Sequence, residues 1–131
     1  MFVDASAFCA ILLGEPEKQA FEQRLMAASG AVTSAVAIWE TVRSLVRAKG
    51  LDVADAEFEV LSYVGAAEIS VVKIGSREGS MALDAFARFG KGVHPARLNM
   101  GDCFSYACAK ANGVPLLYKG GDFALTDIEA A

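Results

Sequence analysis

Four acidic side chains stand where carboxylates can work together: Asp4, Glu40, Asp102 and Asp122. Each has an ordinary structural use when taken alone. Asp4, in Phe2-Val3-Asp4-Ala5-Ser6, reads as a helix N-cap. Glu40 lies one turn into an amphipathic stretch, roughly 160° from the centre of its apolar stripe at about 100° per residue. That reads as a solvated face shared with Arg43 and Arg47. Asp102 comes three residues after Asn99, the spacing of a capping arrangement, and an acid there suits the helix dipole. Asp122 follows Gly120-Gly121 and suits a cap on a short final turn. The combination asks for more. None of the four has Lys or Arg directly beside it, and three fall at strand or loop ends that a parallel sheet gathers at one edge. Carboxylates so gathered repel one another unless a cation sits among them. Hard divalent ions such as Mg²⁺ or Mn²⁺ take oxygen ligands of this kind.

The elements that must position these acids alternate short β-branched runs with helical periods, which is an α/β pattern. Strands are expected over 1–3, 31–33 (closed by Ser34), 69–74 and 115–118. Helices are expected over 6–13, 16–28 with Pro16 in the first turn, 35–49, 53–66, 76–89 and 101–111. In the third helix Ile38, Trp39, Val42, Leu45 and Val46 form the apolar stripe. Residues 90–95 read as loop. Strands separated by helices imply a mostly parallel sheet covered on both faces, with sites at the carboxyl ends of its strands.

Composition bounds the rest. The 131 residues are 54% hydrophobic, enough for one domain over 1–131 with its own core. Apolar runs such as Ala7–Leu13 fall far short of the roughly 20 residues that span a bilayer. Neither a membrane segment nor a signal peptide is expected, which places the protein in the cytoplasm. Cys9, Cys103 and Cys108 form no CxxC pair and there is one histidine, so a zinc site is poorly supplied and reduced, buried thiols are expected. His94, beside Pro95 and with no acid near it in sequence, makes a poor general acid or base. Phe86 and Phe89 read as core residues rather than a base-stacking platform.

The net charge of −4 disfavours non-specific binding of a polyanion. Residues 85–121 run the other way, with Arg88, Lys91, Arg97, Lys110 and Lys119 against Asp102 alone, a local +4. Arg88, Lys91, Arg97 and Lys119 are therefore the candidate contacts to nucleic-acid phosphates, against a bland reading as solvated cations at helix ends.

Two related Asp loops fail on one ligand each. A haloacid-dehalogenase-type phosphatase needs a second Asp where Ser6 stands, and an integrin-type metal site needs a hydroxyl where Phe8 stands. The segments Val3-Asp4-Ala5-Ser6-Ala7, Thr33 to Glu40, Leu98 to Ala107 and Leu116 to Phe123 resemble, in order and spacing, PIN-domain ribonucleases of the VapC toxin type. The resemblance implies a three-layer α/β/α sandwich around a mostly parallel central sheet. It also implies an endoribonuclease using one or two Mg²⁺ or Mn²⁺ ions, a cognate VapB-type antitoxin and a homodimer. Asp4 and Asp102 match the family's metal ligands, Glu40 its glutamate near the site, and Ser6 a hydroxyl that supports the first Asp. Many relatives carry an acid or Asn where this chain has Gly120, so Asp122 is expected to act through water. Asn99 is expected to cap its helix and to stand close enough to support the site. A catalytically silent partner-binding module is disfavoured because all four acids are present. A DNA nuclease of the wider superfamily would need helices for which 131 residues leave little room.

Overall fold

Phe2 and Val3 are neighbours in the first strand and point to opposite faces of the sheet, as strand geometry requires. That alternation sets the layering of the molecule. The computed structural model describes residues 1–131. Its elements are β1 (Phe2–Val3), α1 (Ala5–Leu12), α2 (Lys18–Ala27), β2 (Val32–Ser34), α3 (Ala35–Lys49), α4 (Val53–Ala66), β3 (Ser70–Val72), α5 (Ser76–Phe89), α6 (Met100–Asn112), β4 (Leu116–Leu117) and a closing 3₁₀ turn (Phe123–Leu125).

Phe2 and Leu116 pack with Ala85 and Phe89 of α5 and with Cys103, Tyr106 and Ala107 of α6. Val3 and Leu117, on the other face, pack with Phe8 and Ile11 of α1, Val42 and Leu45 of α3, and Val60 of α4. Two cores on two sides of one sheet make the expected three layers. The four strands run in the order β3-β2-β1-β4, every pair parallel. The chain steps from β1 to β2 and β3 on one side, then returns with β4 on the other side of β1. The crevice beyond the carboxyl ends of β1 and β4 is thus the topological switch point, where open parallel sheets place their sites. The edge of β4 is covered by the C-terminal residues: Leu116 N–H donates to Glu129 O (2.8 Å) and Ala131 N–H to Leu116 O (2.9 Å).

Four expectations are corrected, the last at Phe86. The strand foreseen over 69–74 shrinks to Ser70–Val72, because β3 is an edge strand and its length is set by its three-residue partner β2. Pro16 lies not in the first turn of α2 but in the turn before it, where Glu15 N–H closes back on Ala10 O (2.9 Å). Trp39 leaves the apolar stripe of α3 and is exposed, with the Arg43 guanidinium 5.5 Å from its ring centre. The three cysteines are free, Cys103 and Cys108 buried and Cys9 half-buried. Phe89 is core, whereas Phe86 is exposed. No helix is long and apolar enough to cross a membrane.

Candidate active site

Asp4 is the residue that ends β1 and caps α1, and it is 3% exposed. Its two oxygens have different fates. Oδ2 accepts from Ser6 N–H (2.9 Å) and from the Ser6 hydroxyl (2.5 Å). The same hydroxyl accepts from Lys119 N–H just past β4 (2.9 Å), so Ser6 ties the ends of two adjacent strands to one carboxylate. Oδ1 is buried and has no hydrogen-bond partner. A buried, unpaired carboxylate oxygen is costly in a folded protein unless something else satisfies it.

Glu40 is not on a solvated face. The residues of α3 that are buried are Ala37, Thr41, Val42 and Leu45. The centre of that buried set lies roughly 125° from Glu40 instead of the roughly 160° of the apolar stripe, which brings Glu40 to the margin of the buried face. The side chain is half-buried against the first turn of α6, where Gly101 makes room for it. A Cβ at Gly101 would stand within the van der Waals envelope of Glu40 Oε1, Oε2 and Cδ. Gly101 is the residue that sequence reasoning missed; the only signal was a glycine inside the first turn of a helix, where alanine is the better helix former.

Asp102 fulfils its capping role and keeps one oxygen spare. Asn99 Oδ1 accepts from Asp102 N–H (3.1 Å) and Asp102 Oδ2 accepts from Asn99 N–H (2.8 Å), a reciprocal capping box. Asn99 is thereby a helix cap, as expected. Asp122 precedes the closing 3₁₀ turn, yet its side chain makes no capping bond. It is exposed and bears electrostatically on Asp102.

Glu40 and Asp102 feel the charges of neighbouring acids. Burial first, then the charges of Asp4 and Asp102, push the Glu40 carboxyl up to about 7. Burial and the charges of Asp4 and Asp122 push Asp102 up to about 6, against the lowering effect of the Asn99 N–H. Arg43 is the one cation acting on Glu40, and its effect is the smallest of those named. Lys119, the cation nearest in sequence to Asp122, turns away to Glu15 (2.8 Å) and Glu17 (3.0 Å). The chain supplies these carboxylates with no adequate counter-ion. No three Asp, Glu, His or Cys side chains are arranged to enclose an ion by themselves. That donor set still fits Mg²⁺, which keeps several waters and binds through one or two carboxylates together with substrate phosphates. Asp4 Oδ1 and the free oxygen of Asp102 are the available donors.

A model of the PIN domain matches residues 1–129. The chain belongs to the PIN-domain family. It is 42% identical to a VapC ribonuclease of Rhizobium meliloti, over 97% of this chain and 98% of that one. Among solved structures it resembles Mycobacterium tuberculosis VapC20, described as a sarcin-ricin loop cleaving toxin, with a TM-score of 0.78 over 99% and 97% of the two chains at 19% identity. A toxin–antitoxin complex from Klebsiella pneumoniae matches at a TM-score of 0.67 and 14% identity, over 94% and 89%. These two solved structures show the shared fold.

On this PIN domain the four cations foreseen as RNA contacts divide into two pairs. Arg88 pairs with Asp127 (3.0 Å) and Asp84 (3.4 Å), with Phe89 4.5 Å from its guanidinium, and Lys119 is held by Glu15 and Glu17. Lys110 approaches Asp127 at 3.8 Å. The local +4 is therefore largely met by acids from elsewhere in the chain. Lys91 and Arg97 are exposed and outside every ion pair. They flank a tight loop closed by Lys91 N–H on Leu98 O (3.1 Å) and by His94 N–H on Gly90 O (3.1 Å). His94 Nδ1 accepts from Ala96 N–H (3.1 Å) and its ring meets Phe89 edge-on, so it holds the loop.

Proposed function

We propose that this chain is an endoribonuclease toxin that hydrolyses RNA phosphodiester bonds with one or two Mg²⁺ or Mn²⁺ ions held at Asp4 and Asp102. Its cognate partner is a VapB-type antitoxin that keeps it inactive. The observation that carries the reading is Asp4 Oδ1, a buried carboxylate oxygen without a partner, at the switch point of a PIN fold and surrounded by three more acids.

A bound divalent ion supplies a lowered pKa for water and offsets charge on the phosphoryl and departing oxygens. The side chains do the rest. Ser6 fixes the Asp4 carboxylate by donating to Oδ2, which leaves Oδ1 as the ligand oxygen. Asn99 N–H fixes Asp102 in the same way, through its Oδ2. Glu40, seated on Gly101, and Asp122, free of any capping bond, hold and orient the attacking water. Lys91 and Arg97 contact RNA phosphates from the loop before α6.

The name of the Rhizobium relative supports ribonuclease activity, and the Klebsiella complex supports an antitoxin partner. Exposed Leu83, Phe86 and Met100 line an apolar groove of about 190 Å³ between α5 and α6, which supports a homodimer with a second copy seated there. The protein acts in the cytoplasm, as one domain over 1–131. Antitoxin-free protein is expected to cleave single-stranded RNA with Mg²⁺ or Mn²⁺, and EDTA or Asp4→Asn to stop cleavage with the circular dichroism spectrum unchanged. Full activity of Asp4→Asn at a matched fold overturns the reading.

A further inference from the structure

Helix α3, which supplies Glu40, also carries two cations that no acid of the chain holds. Arg43 and Arg47 are exposed, and neither stands in an ion pair. They do not face the same way. Arg43 lies over the exposed Trp39 ring on the outer side of the helix. Arg47 follows Glu40 by seven residues, so Glu40, Ser44 and Arg47 share one face at i, i+4, i+7. At 1.5 Å per residue Arg47 stands about 10 Å along α3 from Glu40.

That face looks onto α1. Beneath it the two helices pack through Phe8 and Ile11 against Val42 and Leu45. Above that core an open groove of about 370 Å³ remains, walled by Cys9 and Leu13 of α1 and by Ser44, Arg47 and Ala48 of α3. Both helices begin at the carboxyl ends of adjacent parallel strands, α1 after Asp4 at the end of β1 and α3 after Ser34 at the end of β2. The two walls therefore start at the carboxylates and run away from them. On α1 the wall begins at Ser6, the residue that fixes Asp4, and continues through Cys9 and Leu13 at i+3 and i+7. On α3 it begins at Glu40. The volume is that of a ligand cleft, and its lining holds one cation and no acid.

An endonuclease substrate continues on both sides of the bond that is cut. Lys91 and Arg97 lie on the α6 side of the carboxylates, and the groove leaves on the α1 side. We propose that the groove between α1 and α3 is a subsite for the RNA strand on that second side, with Arg47 bound to a backbone phosphate beyond the one that is cleaved. Cations that track a backbone along a groove are the usual means of holding a single strand. The proposal rests on the reading of the chain as an endoribonuclease cutting at Asp4 and Asp102, and it takes Arg47 out of a merely solvated face.

The test measures binding of single-stranded RNA in EDTA, so that no cleavage intervenes. Ala48→Cys puts a thiol at the far end of the groove, on an exposed helix position. Its alkylation, read residue by residue by mass spectrometry, is expected to be lost in saturating RNA. Arg47→Ala is expected to weaken RNA binding on the order of tenfold, the low end for hydrogen bonds to an ionised group. It should also lower the slope of log affinity against log salt by about 0.7, and Arg47→Lys should keep that slope. An unchanged alkylation rate in saturating RNA, or a wild-type slope in Arg47→Ala, overturns the subsite. Wild-type RNA affinity in Arg47→Ala together with a weakened hold on a co-expressed antitoxin overturns it too, and assigns the groove to a protein partner. A wild-type protein that binds no single-stranded RNA instead overturns the ribonuclease reading itself, a result separate from failure of the groove alone.

Discussion

The carboxylate of Glu40 occupies the space in which a side chain at position 101 would begin. An acid from α3 can reach the first turn of α6 only because that turn carries Gly101, which is buried. In an open helix, replacing Gly by Ala gains about 0.8–1 kcal/mol through propensity. At this position that gain is offset by displacing Glu40, whose clashing atoms are the far end of a flexible side chain and can move aside. Gly101→Ala should therefore keep the protein within about 1 kcal/mol of wild-type stability while slowing metal-dependent cleavage about as much as Glu40→Ala does. Thermal melts and cleavage rates of the two single variants and the double variant check this; full cleavage by Gly101→Ala would mean that Glu40 does not need its seat on the glycine.

Asp4 makes a similar separation possible with an isosteric change. Asn is as good an N-cap as Asp, so Asp4→Asn keeps the role of Oδ2 toward Ser6 while removing the charge. The metal-free variant should melt at or above the wild-type temperature, since one of four repelling carboxylates has gone. Mn²⁺ at a hundred times its dissociation constant should add about 2.7 kcal/mol to the wild type and close to nothing to Asp4→Asn. Equal stabilisation of the two by Mn²⁺ would place the ion elsewhere.

The raised carboxyls fix a pH dependence with a definite sign. Glu40 is held up to about 7 and Asp102 up to about 6, against about 4.3 and 3.9 in an unfolded chain. Between those values the folded state binds more protons than the unfolded state, so stability is full below about pH 4 for these groups and is lost as pH rises toward 7. Because both side chains are partly exposed, the loss is on the order of 1 kcal/mol after allowing for solvent screening. Melting temperature in EDTA should therefore fall from pH 5 to pH 8, and Glu40→Gln should flatten the slope. With Mn²⁺ present the trend should weaken or invert, because the ion binds the deprotonated set. A slope in EDTA that is the same in Glu40→Gln would assign the effect to other groups.

Much of this was legible before the structure, and what was not has physical causes. Asp4 reads as a cap and as a ligand, and both readings apply because a carboxylate has two oxygens. The order of strands and helices follows from short β-branched runs, and the switch point from the order of the parallel strands. Glu40 was misplaced because hydropathy weights Trp39 heavily and Ala37 and Thr41 hardly at all, although the latter two are the buried pair. Burial of small and polar residues leaves little trace in an apolar stripe. Arg88 is met by Asp84, one residue outside the 85–121 window, and by Asp127, and Lys119 by Glu15 and Glu17, which lie far from their partners in sequence. The hydrogen bond from Tyr106 to Asp127 is likewise invisible along the chain, since its partners are 21 residues apart.

If Lys91 and Arg97 are the free cations of the region, neutralising either should weaken RNA binding almost uniformly across sequences, because phosphate contacts carry no sequence information. Each should also lower the slope of log affinity against log salt by about 0.7 for a single strand. Lys91→Ala and Arg97→Ala should leave the melting temperature close to wild type, as neither side chain is in an ion pair. Arg88→Ala should do the opposite, lowering the melting temperature by freeing Asp127 while leaving the direct salt slope intact. Binding titrations at several salt concentrations, with catalysis blocked by Asp4→Asn, separate the two patterns. A salt slope that responds to Arg88→Ala and not to Lys91→Ala would return the RNA to the α5 face, and the loop before α6 would lose its role.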